Sequence, residues 1–226
     1  MEFLRLTLVV LLKDLRAELR TKEAINASFA FALVILVLFS FAFDPEEDAT
    51  KAISGGLLWI VFAFAGTLVF NRSFARELPN DCLDALVAAP IPAAALFLGK
   101  ALANYLLVLA IELVSLPVFG IFYNVHWTSH FGQLMLVLAL GTWGLTVIGT
   151  VFSALTVNIR LREVMLPMLT YPILAPALMA AMQLTMQLIS GNAIGPETVR
   201  WLNLLIAFDV VFTAVSLYLV ETVLVG

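Results

Sequence analysis

Residues 54–71 read SGGLLWIVFAFAGTLVFN, an apolar run without a charged side chain, and past Arg72 the chain continues over residues 74–90 as FARELPNDCLDALVAAP. The first stretch is long enough to cross a bilayer of about 30 Å as a helix. It is continuous rather than alternating, and lipid leaves only helices or closed barrels as spanning structures, so it reads as helix. Working outward, five more runs share its character, at 25–43, 101–123, 131–157, 164–190 and 201–225. The expected fold is all-α: a polytopic membrane protein with six transmembrane helices in one membrane domain over 1–226.

Composition agrees with that reading. The chain of 226 residues is 62% hydrophobic and 12% charged, with a mean hydropathy of +1.05, against about 45–50% apolar usage in soluble domains. This excludes a water-soluble fold. Lys and Arg set the expected orientation, because loops on the cytoplasmic side carry the excess. Arg5, Lys13, Arg16, Arg20, Lys22, Arg72, Arg76, Lys100, Arg160 and Arg162 fall on one side; Lys51 and Arg200 fall on the other, beside the acidic run Asp44-Pro45-Glu46-Glu47-Asp48. Both termini are therefore expected in the cytoplasm of a bacterial cell, with the spans in its inner membrane. The net charge of −4 is divided across the membrane and says little about partners, and no basic tract points to nucleic acid. The single cysteine, Cys82, has no partner in the chain for a disulfide. Residues 1–23 mix acids and bases and lack the compact apolar core of a cleaved signal peptide.

Residues 1–24 are expected to form an amphipathic elbow helix. Leu4, Leu8, Leu11, Leu12, Leu15 and Leu19 share one helical face, while Arg5, Lys13, Arg16 and Arg20 cluster on another. Such a helix lies in the interface, leucines in the acyl boundary and bases at anionic lipid headgroups.

The cytoplasmic segment 72–92 carries the most specific signal. Asn80 or Asp81 can cap a helix, Asp81 and Asp84 sit near its positive end, and Cys82, Leu83, Leu86 and Val87 supply an apolar face. Pro90 then stops it, since the residue before proline is disfavoured in helical geometry. A helix of about two turns is marginal alone. It needs a surface to dock on, either headgroups or a cytoplasmic protein.

Two carboxylates fall inside spans, Glu112 and Asp209. A charge near the bilayer centre costs roughly 2.5–3.5 kcal/mol on insertion scales, which makes such residues candidates for function. The competing reading is that each hydrogen-bonds a neighbour such as Asn104, Asn203 or a threonine hydroxyl. Pro167, Pro172 and Pro176 in the fifth span each remove a backbone hydrogen bond and predict a bent or broken helix, a candidate for a moving or lining element. No phosphate-binding Gly-x-x-x-x-Gly-Lys-Ser/Thr is present, because Ala94 stands where its first glycine would be and Ala101 follows Gly99-Lys100. Any nucleotide hydrolysis must therefore come from another chain. No Cys/His metal pattern occurs; His126 and His130 flank Trp127 in an outer loop and suggest haem ligation only weakly beside an ordinary interfacial role.

The stretches Asn71-Arg72-Ser73-Phe74-Ala75-Arg76-Glu77, Leu83-Asp84-Ala85-Leu86, Pro90-Ile91-Pro92 and Leu98-Gly99-Lys100 resemble the region after the second span in the CcmB family, the permease subunits of the cytochrome c maturation (haem exporter) ABC system. Leu155-Thr156-Val157-Asn158-Ile159-Arg160, Leu166-Pro167-Met168-Leu169 and Pro172-Ile173-Leu174-Ala175-Pro176 resemble that family's fourth loop and fifth span. One departure is Asp81-Cys82, where the family usually carries a glycine. The resemblance implies an ABC-2-type permease architecture in which two copies pair with two CcmA-like ATPase subunits that bind the ATP. It implies that segment 72–92 is the coupling segment, with Arg76, Glu77, Asp81, Leu83, Asp84 and Leu86 at the ATPase. It also implies CcmC-like and CcmD-like membrane subunits, a CcmE-like haem chaperone, and haem in the complex, whether or not this subunit carries it. A non-catalytic subunit coupling ATP hydrolysis to haem delivery or chaperone release is thus expected. The alternatives are an ABC-2 exporter of a lipid or drug-like substrate and an ion-coupled secondary transporter using Glu112 and Asp209.

Overall fold

The computed structural model describes residues 2–43, 48–79, 82, 86, 88–125 and 127–225. Among the described residues there is no strand. Helix α1 (Glu2–Thr21) is followed by α2 (Glu23–Ala42), α3 (Asp48–Ser73), a single 3-10 turn at Ala75–Glu77, α4 (Ala93–Phe122), α5 (Phe131–Thr156), α6 (Arg162–Ile189) and α7 (Val199–Val225). Six of these helices, α2 to α7, are long and apolar enough to cross a membrane. The protein is thus a multi-pass membrane protein, as the apolar runs imply.

Boundaries differ from expectation most at α4, which begins at Ala93 rather than at 101. Lys100, counted above as a loop charge, therefore lies two turns inside a helix. Pro92 provides the physical reason: it precedes the first turn, where a missing N–H costs nothing, and its φ of −55° already suits a helix. Helix α6 runs unbroken from Arg162 to Ile189 through Pro167, Pro172 and Pro176, so of the bend or break expected in the fifth span the break does not occur. Each proline removes one rung only, and the rungs between them hold the helix together.

Helix α5 is central, with 72% of its apolar window buried against 22% for α2. It touches α3, α4, α6 and α7, and its sequence shows why it can. Gly141, Gly144 and Gly149 alternate with Thr142, Thr146, Thr150 and Ser153 along a buried helix, and small residues let backbones approach where lipid offers no hydrophobic drive. The rings of Trp59 and Phe70 occupy the places that side chains at Gly141 and Gly149 would need. Interhelical hydrogen bonds add to this packing: Trp59 Nε1 donates to Thr185 Oγ1 at 2.9 Å, Trp143 Nε1 to Thr213 Oγ1 at 3.0 Å and Tyr123 Oη to the Leu36 carbonyl at 3.2 Å. Each such bond contributes about 0.6 kcal/mol on average. Val220, late in α7, packs with Phe97 and Ala101, which brings the end of α7 beside the start of α4.

Helix α1 lies along the start of α4. Its buried positions are Thr7, Val10, Asp14 and Glu18, spaced three and four apart and so on one face. Leu4, Leu8, Leu12 and Leu19 are exposed. The face turned to the protein is therefore a narrow, largely polar one.

Candidate functional site

Three segments far apart in sequence meet at the α1 end of the bundle: α1 itself, the Asn71–Glu77 stretch that closes α3, and the first turns of α4. Gly99 permits the meeting. A Cβ there would stand 2.6 Å from Val10 Cβ and 2.8 Å from the Thr7 carbonyl oxygen, so any side chain pushes α1 away from α4. Gly99→Ala is expected to destabilise the fold by about 1–3 kcal/mol, the usual range for overpacking. The check is a lowered melting temperature of the detergent-solubilised chain.

Directly after this contact, Lys100 is fully buried. Its Nζ donates to Asp14 Oδ2 at 3.1 Å, to the Ser73 carbonyl at 2.9 Å and to Glu77 Oε1 at 3.1 Å, which uses all three ammonium hydrogens. The Phe74 ring lies 4.9 Å away, centroid to Nζ. Lys13 pairs with Asp14 at 3.0 Å and with Glu77. Burial alone would pull the Lys13 ammonium down; the carboxylates of Asp14 and Glu77 outweigh it and hold its pKa above the ordinary 10.5. Its contribution is therefore complete at neutral pH and is lost only as pH rises through that raised value.

Glu18, also fully buried, has two tasks. Oε2 takes the Arg76 guanidinium, and Oε1 accepts from the backbone N–H groups of Ala24 at 2.7 Å and Ile25 at 3.0 Å. Those are among the free donors at the start of α2. Lys22, with φ of 56°, makes the left-handed step between α1 and α2 that places them there. Arg72 pairs with Glu23 alongside. Lys13, Arg76 and Lys100 thus face Asp14, Glu18 and Glu77, a balanced set. Balance matters because an unpaired buried ion costs several kcal/mol. One turn deeper, Asn104 Nδ2 donates to Ser73 Oγ at 2.9 Å and Thr150 Oγ1 at 3.0 Å, and Ser153 Oγ donates to the Phe70 carbonyl at 2.6 Å. The charged junction is therefore tied into α3, α4 and α5 together.

The residues singled out from sequence divide into four groups. Arg76 and Glu77, in the 3-10 turn and half-buried, are committed to pairs within the chain. Asp81, Leu83 and Asp84 lie outside the described residues; Leu86 is half-buried and Cys82 exposed. Glu112 is fully buried and accepts a 2.6 Å hydrogen bond from Thr142 Oγ1. Neither Asp209 oxygen has a hydrogen-bond partner among the described residues, and Oδ1 fills the space that a side chain at Gly144 would need, 2.6 Å from its Cβ position. At the opposite end, His130 Nε2 contacts the Gly191 carbonyl at 3.1 Å, while His126 lies outside the described residues. Asp14, Glu18 and Lys100 were not recognised from sequence. Their signal was present: two acids on the Thr7–Val10 face, and a lysine inside the apolar run Leu98-Gly99-Lys100-Ala101-Leu102.

Comparison with known proteins gives a consistent result. The family model described as CcmB protein matches residues 5–224. Heme exporter protein B of Rhodobacter capsulatus is 31% identical over 185 residues, 82% of this chain and 84% of that protein. The protein of the same name from Paracoccus denitrificans is 31% identical over 169 residues, covering 75% and 77%. That of Pseudomonas aeruginosa is 29% identical over 183 residues, covering 79% and 81%.

Proposed function

The chain belongs to the CcmB protein family, and from that premise we propose that it is the membrane subunit of a haem export system whose work is driven by a separate ATPase. The observation that carries the coupling is the Lys100 junction. Segment 72–92 leaves the membrane at Arg72 and re-enters at Pro92, and both of its ends are clamped there: Ser73 and Glu77 on one side, Lys100 on the other, with α1 across them through Asp14. A loop held this way transmits a push on its tip to α3 and α4 instead of absorbing it.

In this reading the ATPase closes on ATP and presses on the segment around Asp81, Leu83, Asp84 and Leu86. Arg76 and Glu77 pass the displacement to α1 and α4. The exposed leucines of α1 face lipid, so that helix rides in the membrane surface as the segment moves. Residues 72–92 then form the coupling segment and residues 1–24 the elbow of one permease domain over 1–226, with both termini in the cytoplasm. The chain works as one of two copies, beside CcmC-like and CcmD-like subunits, toward haem delivery to, or release of, a CcmE-like chaperone.

Affinity purification of the tagged chain in mild detergent tests this, with identification of bound proteins and a haem absorbance spectrum. The expected result is an ATPase together with haem-handling subunits. Recovery without any ATPase, under conditions that keep complexes intact, overturns the coupling. Leu83→Glu with Leu86→Glu is expected to reduce ATPase recovery at least tenfold while the membrane chain itself stays monodisperse, since two unpaired carboxylates would have to be desolvated in the contact. Undiminished recovery would place the docking surface elsewhere, with the loop Asn158–Arg162, exposed except for half-buried Arg162, as the next to test.

A further inference from the structure

On the far side of the junction from Lys100, α1, α2, α3 and the start of α6 enclose a cavity of about 750 Å³, within the range of sites that hold small amphiphiles. One end is polar and is lined by Arg72, Arg76, Arg162, Glu23, Glu163 and Asn71. The other is apolar, formed by Phe31, Phe64, Leu68 and Pro167. Phe64 is 45% exposed, so the apolar end opens onto the lateral surface where acyl chains lie in a bilayer.

The polar end is informative once its internal pairs are removed. Arg72 is taken by Glu23 and Arg76 by Glu18. Left over are the Arg162 guanidinium and the Glu163 carboxylate, whose side chains make no ion pair or hydrogen bond with any described residue. This is one cation and one anion. The complementary group bears one anion and one centre rich in N–H donors, at the head of an apolar tail. Haem suits the site poorly, because no His, Met, Cys or Tyr lines the cavity and its iron would lack an axial ligand.

We infer that this cavity seats the headgroup of a phosphatidylethanolamine molecule, its phosphate on Arg162 and its ammonium on Glu163. The glycerol and first methylenes lie against Phe31 and Phe64, and the tails leave past Phe64 into the membrane. A choline headgroup has the same charges but no N–H to donate, and a glycerol headgroup has no cation for Glu163. The assignment depends only on the chain spanning a membrane and stands apart from the haem-export reading.

The test is native mass spectrometry of the full-length chain released from nanodiscs containing equal parts of phosphatidylethanolamine, phosphatidylcholine and phosphatidylglycerol. One retained phosphatidylethanolamine per chain is expected, at least fivefold over either competitor. Arg162→Ala should abolish that preference, and Glu163→Gln should remove discrimination against phosphatidylglycerol. Should Arg162→Ala fail to fold, Glu163→Gln alone decides the matter, because an exposed carboxylate at a helix start is not needed for packing. Equal retention of the three lipids, a preference unchanged in the variants that fold, or displacement of the lipid by added haem overturns the assignment.

Discussion

Lys100→Met is expected to give a chain that inserts but cannot hold α1 against the bundle, with a loss of about 3–5 kcal/mol, the cost of removing one partner from a buried ion cluster. Methionine fills nearly the same volume, so cavity formation contributes little. What remains is electrostatic: Asp14 and Glu77 are left with Lys13 alone, and the Ser73 carbonyl loses its donor. Lys100→Arg is no remedy, since a planar guanidinium cannot reproduce three donors converging from one nitrogen. The decisive comparison is the double variant Lys100→Met, Glu77→Gln, which leaves Lys13 matched by Asp14 and Arg76 by Glu18. If burial of unmatched charge is the cause, removing the second charge should recover most of the melting temperature lost by Lys100→Met. A double variant as unstable as the single one would show that the cluster contributes through shape rather than charge balance. On the proposed function, a stable double variant that fails to support cytochrome c maturation in cells would assign the charges to transmission of motion.

The second large effect is expected from Glu18→Ala, again about 3–5 kcal/mol because Arg76 loses its buried counter-ion. The same change uncaps α2 by freeing the N–H groups of Ala24 and Ile25, and leaving such buried donors unmade carries its own penalty of about 1–3 kcal/mol. Glu18→Gln separates the two tasks. Its amide oxygen still accepts from the backbone, whereas its charge toward Arg76 is gone, so a loss smaller than that of alanine is expected. Limited proteolysis reports on the first task, through faster cleavage near Arg20 and Lys22 as the elbow frays; thermal unfolding reports the sum. Equal cleavage rates in Glu18→Ala and the parent chain would remove the capping role.

Both residues show where sequence reading falls short. Glu18 sits among Asp14, Arg16 and Arg20 on a short amphipathic helix, and a surface helix rich in alternating charge reads as solvated on its polar side. Lys100 follows a glycine near the start of an apolar run, where a loop lysine is the ordinary expectation. Nothing local says that Gly99 admits α1 closely enough to cover the ammonium. The motif residues Arg76 and Glu77 were recognisable, yet their partners, Glu18 at one remove of 58 positions and Lys13 at 64, were not. Glu112 was singled out as a membrane-embedded acid with a threonine among its possible partners, and Thr142 fills that role.

Sequence by itself determined the fold class, the number of spans and the family. These follow from the length and continuity of apolar runs and from short motifs, which are local properties that lipid enforces residue by residue. Tertiary structure alone decided which charges at the α1 junction are buried. A charged side chain is tolerated in the interior only when a specific partner arrives from another helix, and arrival depends on how closely two backbones can pack, here on the missing side chain of Gly99.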